Sequence, residues 1–351
     1  MDRRLLSLMM TILMIASALA GCTGGEDVDL DAEDGGYEYA SNVDNHRMLM
    51  GDVCDIKDLS GAYDWDGVED IYENGKHAEK SDGSYRTLQG FTDASGKNHA
   101  YDTFYGADGS WHDFVDAAIS GTGAFAGESD TVRDQAVEKG IQNGVMTAYA
   151  IHELNAAIIK AEAGNWGPND AQHAWDEGWA FYHGPDDDGH DYDGCGPYAT
   201  ADKRAGNFGT ANADGTAATN VATLAAMNAG LVAMQNEDMQ GLVDARDEVL
   251  KNIIIVYSQA SVRYASKMTD DLADGDTDDY DKHQAEGHAF YRVIEAYLAE
   301  YNTSNSDMIV AMFDLTNDGD ASADYEADIR AWLQPAWDHY GITAEDIGTL
   351  Q

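Results

Sequence analysis

Two stretches of the sequence repeat one pattern of side chains that can ligate a metal ion. The first is His173-Ala-Trp-Asp-Glu-Gly-Trp-Ala-Phe-Tyr182, and the second is His283-Gln-Ala-Glu-Gly-His-Ala-Phe-Tyr291. Glu177 follows His173 by four positions and Glu286 follows His283 by three, so each pair shares one face of a helix. An imidazole and a carboxylate on one helix face predict a metal site inside a helix bundle. The alternative is an aromatic core helix in which His and Glu are structural.

Long helices must position these two stretches. Ser129 begins a helix that runs to about Ala163, just before the first copy. Two further helices, Thr216–Met234 and Glu237–Met268, precede an acidic loop at Asp270–Asp281 and the second copy at about 280–301. Each copy therefore follows a long helix, which we interpret as a degenerate internal duplication. The predicted fold class is all-α, a helical bundle with long acidic loops.

The candidate metal ligands lie on helices that this bundle brings face to face. Carboxylate oxygens would come from Glu153, Glu177 and Glu286, and nitrogen from His152, His173 and His283. Tyr182 could add a phenolate oxygen, or it could pack with Phe181 in the core.

The N-terminal 22 residues have the composition of a processing segment. Arg3 and Arg4 give a basic start, and Leu5–Leu19 is an apolar run too short for a membrane span. Leu19-Ala20-Gly21-Cys22 is similar to a lipoprotein cleavage box that would leave a lipid on Cys22; the alternative is an ordinary secretory signal. Residues 23–44 are polar and acidic, which predicts a flexible tether. The domain at 45–351 is then extracytoplasmic and held to a membrane by lipid.

Two cysteines remain once Cys22 carries a lipid. Cys54 and Cys195 could form a disulfide, since an oxidising compartment permits one. Such a bond would close a long loop and restrain the unfolded chain. The alternative is a pair of unbonded, buried thiols.

The net charge of −45 arises from 65 acidic and 20 basic residues. This balance excludes nucleic acid as a partner, because nucleic-acid binding needs a basic surface. Solubility in a saline environment explains the bulk charge, which also raises the local concentration of cations.

Asp314-Leu-Thr-Asn-Asp-Gly-Asp320 resembles the start of a calcium loop, but Tyr325 stands where the loop needs a Glu. Calcium binding there competes with an ordinary capping turn.

Basic side chains are rare in this chain, so the run Asp202-Lys203-Arg204 is unusual. Lys203, Arg204 or Arg263 could hold an anion beside the metal or orient a ligating carboxylate. Alternatively, the two arginines pair with buried acids.

Several stretches, in order along residues 50–350, resemble the algal iron-assimilation proteins, the low-iron-inducible periplasmic family. The most specific is Ala174-Trp-Asp-Glu-Gly-Trp-Ala-Phe-Tyr-His-Gly184, similar to the family's Trp-Asp-Glu-Ala-Val-Ala-Phe-Tyr-x-Gly. Others are Tyr198–Phe208, Asp82–Leu88, Gln259–Tyr264, Ala285–Gly287 and the C-terminal Tyr340–Gly348. Ala205 and Ala211 stand where the family has Cys, so disulfides expected there are missing.

This resemblance implies extracytoplasmic capture of iron for uptake. The bound species would be Fe3+ or Fe2+, free or as a chelate, and the partner would be a membrane permease for iron. The protein would then bind iron and would not be an enzyme. A metal-dependent enzyme on the same bundle is one alternative, although no HExxH motif supports a peptidase. A surface lipoprotein whose acidic loops bind calcium weakly is the other.

Overall fold

Helices form nearly all of the regular structure. The computed structural model describes residues 33–95, 100–186 and 194–351, and Ala32–Gln351 form one compact unit. In this part of the chain the only paired strands are one short hairpin and two isolated bridges, and every longer element is helical. The expected all-α fold is confirmed.

The helices and strands follow one another along three parts of the chain. The first third holds the hairpin of β1 (Glu33–Asp34) and β2 (Tyr37–Glu38), then α1 (Asp44–Arg47), α2 (Leu49–Gly61), α3 (Trp65–Asn74), α4 (Leu88–Thr92), α5 (Ala100–Tyr105) and α6 (Ser110–Ser120). The middle holds a 3-10 turn (Gly123–Phe125), α7 (Asp130–Lys139), a π-helical segment (Gly140–Val145), α8 (Met146–Glu162), α9 (Ala171–His183) and α10 (Pro197–Phe208). The last part holds α11 (Ala218–Gln235), α12 (Met239–Asp274), α13 (Thr277–Leu298), α14 (Thr303–Met312), α15 (Tyr325–Tyr340) and α16 (Ala344–Ile347).

α7, the π-helical segment and α8 form one helical run, close to the helix predicted from Ser129 to about Ala163. The Ser129 hydroxyl caps it by accepting a backbone N–H of the first turn. Gly140 and Gly144 lie in the π-helical segment. A Cβ at Gly144 would overlap the ring of Trp111, so a glycine there lets α6 pack closely against the run.

Each His/Glu helix packs along the long helix that precedes it. α9 lies along α8, and α13 lies along α12. The glycine after each Glu is tightly packed, Gly178 against Leu154 and Gly287 against Phe313. The similar packing of the two copies agrees with a duplication, which itself stays a prediction.

The acidic loop predicted at Asp270–Asp281 is wrong. Only Gly275 and Asp276 separate α12 from α13. Gly275 has φ +72° and ends α12, and the Asp276 side chain accepts the backbone N–H of Asp279 to begin α13. The acidic residues that follow lie in the first turn of α13, where the helix N-terminus favours negative charge.

The tether predicted for residues 23–44 is wrong in its second half. From residue 33 the chain folds onto the domain, and Asp34, Tyr37 and Tyr39 are buried. Trp179 of α9 donates from Nε1 to the Asp34 carbonyl oxygen at 2.9 Å. The buried aromatic rings, which a solvated tether would not contain, therefore place the start of the domain near residue 33.

The signal peptide at 1–22, its Cys22 and residues 23–32 lie outside the described residues, so the lipid anchor stays a prediction. Within the ranges that the structure covers, no helix combines the length and the apolar sequence that a membrane crossing needs.

A disulfide joins α2 to the segment that leads into α10. The Sγ atoms of Cys54 and Cys195 are 2.13 Å apart, across 141 positions of sequence. Of the two alternatives for these cysteines, the structure has the bonded pair. The bond links the N-terminal part of the domain to the middle of the chain.

Candidate metal centre

His173 and Glu177 lie on one face of α9, as their spacing predicts. His173 Nε2 is 3.1 Å from Glu177 Oε1. His46, on the short helix α1, approaches the same carboxylate oxygen with its Nε2 at 2.8 Å. The two imidazole rings meet edge to face, with centroids 5.9 Å apart. Two imidazole nitrogens therefore converge on one oxygen of a mostly buried carboxylate.

Ser41 holds the far side of the His173 ring. Its Oγ donates to Asp176 Oδ2 at 2.7 Å and lies 2.9 Å from His173 Nδ1. Because the hydroxyl proton goes to Asp176, Ser41 can only accept from an Nδ1–H of His173. A second donor to Asp176 is Tyr37, from Oη to Oδ1 at 2.9 Å. This arrangement keeps one proton on Nδ1 and turns Nε2 towards Glu177.

Arg86 borders the other side of the cluster. Its Nη1 donates to Tyr149 Oη at 2.8 Å, and its Nη2 lies against His46 Nε2. The Tyr149 ring is stacked on Phe181 of α9. His46 Nε2 thus faces both a carboxylate and a guanidinium, and one nitrogen cannot donate to the first while accepting from the second. Its Nδ1 has no hydrogen-bond partner among the described residues.

Glu153 adds a second carboxylate. It lies on α8 with 8% of its surface exposed and shares a side-chain hydrogen bond with Glu177. His152, also a candidate ligand, has its Nε2 3.9 Å from Glu153 Oε1. We call His46, His173, Glu177 and Glu153 the first cluster.

The protonation states in the first cluster follow from burial and hydrogen bonding. Burial raises the pKa of the Glu177 carboxyl, but the bonds to His173 and His46 outweigh it and hold the pKa well below its usual range. Burial lowers the pKa of His46, although Glu177 opposes this. The hydrogen bond to Glu177 raises the pKa of the half-buried His173. An ionised carboxylate thus meets a neutral His46 and a His173 that holds its protons strongly.

The second copy makes a different network. His283 Nδ1 is 2.7 Å from Asp271 Oδ2, and Glu286 Oε1 accepts from Tyr264 Oη at 2.8 Å. Burial raises the pKa of the Glu286 carboxyl, and the charge of Lys139 partly offsets this. We call Tyr264, Glu286, His283 and Asp271 the second cluster.

The two clusters are associated with different levels of one helical run. Lys139, which acts on Glu286, precedes Glu153 by fourteen residues on the run of α7, the π-helical segment and α8. At a rise of about 1.5 Å per residue this separates their backbones by about 20 Å. His283 and Glu286 make their hydrogen bonds to Asp271 and Tyr264, not to the first cluster. The interpretation of Glu153, His173, Glu177, His283 and Glu286 as one ligand set stays a prediction.

Tyr182 is also not placed as a ligand. It follows Glu177 by five positions, about 140° around the helix, and its Oη donates to Asn220 Oδ1 at 2.7 Å in the core.

In the stretch that resembles a calcium loop, the carboxylate of Asp314 accepts the N–H and hydroxyl of Thr316 as an ordinary turn cap.

The three basic candidates lie away from the first cluster. Arg204 and Arg263 approach the ring of Tyr264 in the second cluster, with Cζ 5.7 and 5.8 Å from its centroid. Lys203 Nζ is 3.4 Å from the carbonyl oxygen of Gly194. Neither arginine forms an ion pair with an acid among the described residues, so the alternative of buried acidic partners does not hold there either.

Sequence reasoning missed His46, Ser41 and Arg86. Ser41 belongs to the segment 23–44 that its acidic composition marked as a tether, although Tyr37-Glu38-Tyr39 alternates as a strand does, and His46 follows that segment directly. Arg86 lies in Asp82–Leu88, one of the stretches that carried the family resemblance. Its role as the basic neighbour of the cluster had no local signal.

The donor set of the first cluster fits iron by its chemistry. Imidazole and carboxylate suit Fe(II), and carboxylate oxygens suit Fe(III). Within residues 33–95, 100–186 and 194–351, however, no three His, Cys, Asp or Glu side chains are already arranged as metal ligands. The imidazoles instead bond to Glu177 itself, so a bound ion would have to replace those bonds.

Comparison with known proteins gives one match. A family model described as low iron-inducible periplasmic protein matches residues 8–351, which include both clusters. No curated protein and no solved structure matches the chain. The family's description refers to a periplasmic location and to induction by low iron, which ties the protein to iron assimilation outside the cytoplasm. Over nearly its whole length, this chain belongs to the family of low iron-inducible periplasmic proteins.

Proposed function

We propose that this protein captures iron outside the cytoplasm for uptake and binds it at the first cluster. The observation that carries the proposal is the convergence of His46 Nε2 and His173 Nε2 on Glu177 Oε1, at 2.8 and 3.1 Å. Two imidazoles and a carboxylate already meet there, and Glu153 adds a second carboxylate. Small movements of these side chains would let a cation take the place of the hydrogen bonds.

Ser41 and Asp176 support the ligand role of His173. Ser41 holds the Nδ1–H of His173, so the proton that this imidazole would lose to a metal ion is the one on Nε2, which then supplies the lone pair that ligates the metal. Burial favours the neutral form of His46, so this imidazole needs only to move its proton from Nε2 to the unbonded Nδ1 to supply the second nitrogen. Iron here is the cargo, and the acidic surface of the chain raises its concentration nearby.

The test compares iron affinity in Glu177→Gln and Glu286→Gln. Both changes remove one buried carboxylate charge while keeping the shape of the side chain. We expect Glu177→Gln to weaken Fe2+ binding at least tenfold, about 1.4 kcal/mol, and Glu286→Gln to leave it unchanged. Anaerobic titration of Fe2+, and a parallel titration of ferric citrate, would be measured on protein whose folding is checked by circular dichroism.

Unchanged affinity in folded Glu177→Gln would place the site elsewhere. If Glu177→Gln and Glu286→Gln lose Fe2+ affinity equally, the second cluster also takes part in binding the ion. If the folded wild type binds no iron at micromolar concentration, iron capture by this protein is wrong.

Attachment to a membrane through a lipid on Cys22 is a further part of the proposal, supported by the cleavage box at Leu19–Cys22. A lipid anchor would keep captured iron next to the membrane permease that takes it up. Mass spectrometry of the mature N-terminal peptide checks the anchor, and an unmodified Cys22 would contradict it.

A further inference from the structure

Arg204 is a buried cation whose donors are only partly satisfied, by a side-chain hydrogen bond to Tyr264. It lies on α10 with 8% of its surface exposed, and its Nε and Nη1 atoms have no hydrogen-bond partner among the described residues. A buried charged group normally has its donors satisfied, because leaving them bare costs free energy. The missing partner therefore points to a ligand.

Two aromatic rings border the guanidinium of Arg204. The guanidinium carbon lies 5.7 Å from the ring centroid of Tyr264 and 5.9 Å from that of Phe290, and these two rings are stacked. The nearby carboxylate of Glu286 is bonded to the hydroxyl of Tyr264. The aromatic wall orients the guanidinium, and Glu286 forms no ion pair with it in the described part of the chain.

Lys203, the neighbour of Arg204 in sequence, lies near two further lysines although the chain is strongly acidic. Lys57 is on α2, Lys139 ends α7, and Lys203 precedes Arg204 on α10. Loss of hydration lowers the pKa of Lys203, and the charges of Lys57, Lys139 and Arg204 lower it further. At Lys203 the charge of Glu138 opposes them, and Glu138 is paired with Lys139 at 2.7 Å. Lys139 also acts on the carboxyls of Glu286 and Asp134.

Specific contacts hold these elements together. Ser60 of α2 donates to Asp134 of α7 at 2.7 Å, and Gln142 of the π-helical segment donates to the carbonyl oxygen of Gly194 at 2.6 Å. The disulfide joins α2 to the start of α10. The four cations thus repel one another at a place that the fold fixes. A bound anion would relieve this repulsion.

We propose that Arg204, with Lys203, Lys139 and Lys57, forms a binding site for a small multivalent oxyanion, either a polycarboxylate or phosphate. A planar guanidinium matches the oxygen spacing of carboxylate and phosphate groups, and the lysines add charge without imposing a geometry. Lys203 is exposed, so an anion can reach the site from solvent. Lys139 precedes Glu153 of the first cluster by about 20 Å along the α7–α8 run, and the proposed anion site does not depend on iron binding.

The experiment titrates the metal-free protein with sodium citrate and, separately, with sodium phosphate by calorimetry. Arg204→Met keeps the packing against the two rings and removes the charge. The matched control is Arg330→Met, because Arg330 also lies over an aromatic ring, 5.8 Å from Phe208, but is already paired with Glu326 at 2.9 Å. We expect Arg204→Met to weaken anion binding at least tenfold and Arg330→Met to leave it unchanged.

Tighter binding of citrate would identify polycarboxylates as the ligand, and tighter binding of phosphate would identify the inorganic ion. If Arg204→Met does not fold, Lys203→Gln takes its place, with an expected loss of at least threefold. The site is refuted if the folded wild type binds neither anion at about 10 mM, or if the affinity is the same in all variants.

The same titrations keep this site distinct from the proposed iron site. Glu177→Gln should bind the anion as the wild type does, and Arg204→Met should bind Fe2+ as the wild type does. Failure of either proposal would then leave the other standing.

Discussion

Ser41 is the residue on which the first cluster most depends without itself being a candidate ligand. It accepts from His173 Nδ1 and donates to Asp176, so it sets both the tautomer and the orientation of the imidazole. Such partners of metal-ligating histidines are commonly worth 10- to 100-fold in metal affinity, about 1.4 to 2.7 kcal/mol.

Replacement of Ser41 by Ala should therefore weaken iron binding by about tenfold, less than the loss of a ligand would. Asp176 keeps its bond from Tyr37, so we expect only a small loss of stability. Ser120→Ala is the control, since that serine is exposed and bonds within its own turn. Iron titration and urea unfolding of both variants check this. An unchanged affinity in Ser41→Ala would mean that the hydroxyl does not orient His173.

The part of the site that lies on one helix could be predicted, and the rest could not. His173 and Glu177 are four positions apart, and helical geometry alone puts them together. His46, Ser41 and Arg86 reach the same point from parts of the chain about 90 to 135 positions away in sequence, where no periodicity relates them to α9. Long-range packing decides their positions, and the acidic composition of residues 23–44 concealed the segment's buried rings.

At the scale of elements, α2 is tied to the segment after α3 by two acids with opposite pKa shifts. Asp52 is fully buried and accepts the backbone N–H groups of Lys76 and His77. Burial raises the pKa of its carboxyl from 3.8 to about 6. Burial acts on Asp55 in the same direction, but bonds from the Lys76 and His77 side chains outweigh it and lower the pKa.

The two acids should make opposite contributions to the pH dependence of stability. A carboxyl whose folded pKa is raised favours folding when protonated, so the Asp52 contribution falls as pH rises from about 4 to about 6, by at most about 3 kcal/mol. Asp52→Asn should remove this part of the pH dependence. Asp55→Asn should keep this fall between about pH 4 and about pH 6, because the carboxyl of Asp55 itself becomes protonated only in stronger acid.

Urea unfolding of the wild type and both variants between about pH 4 and about pH 7 measures these differences. If the free energy of unfolding changes with pH in the same way in the wild type and in Asp52→Asn, burial does not raise the pKa of Asp52.

The helices themselves were largely predictable from their periodicity, their caps and their glycines. The run from Ser129, the helices at 216–268 and the second His/Glu helix all lie where the sequence puts them, within a few residues. The error at Asp270–Asp281 came from reading an acidic stretch as loop, although acids are favoured in the first turn of a helix. The acidic composition of this stretch suggested a loop, but the position of its acids at the start of a helix determines the structure there.

For the whole molecule, the disulfide counteracts the self-repulsion of a chain with a net charge of −45. The bond closes a loop of 141 positions, which lowers the conformational entropy of the unfolded chain. In the loop-entropy model this raises the free energy of unfolding by about 4 to 5 kcal/mol.

Replacing both Cys54 and Cys195 by Ser should lower the free energy of unfolding by up to that amount, measured in urea at fixed pH and salt. The wild type treated with a reductant is the control and should show the same loss. If neither the double variant nor the reduced wild type shows a change in the midpoint of urea unfolding, the disulfide adds nothing to stability. Thiol titration of the unfolded, unreduced wild type should find neither cysteine free.

The long reach of the contacts around His46 also fixes when a functional molecule can first exist. Asp34 meets Asp186, His46 meets Glu177, and Cys54 meets Cys195, each pair joined across more than 130 positions. Contacts this far apart in sequence form slowly. Because a protein is synthesised from its N-terminus, His46 and Cys54 are made early. They can make their contacts only after α9 and Cys195 have been synthesised. A nascent chain that stops before α9 would carry Arg86, His46 and Glu153 but no assembled cluster, so the proposed iron site can form only once synthesis has passed the middle of the chain.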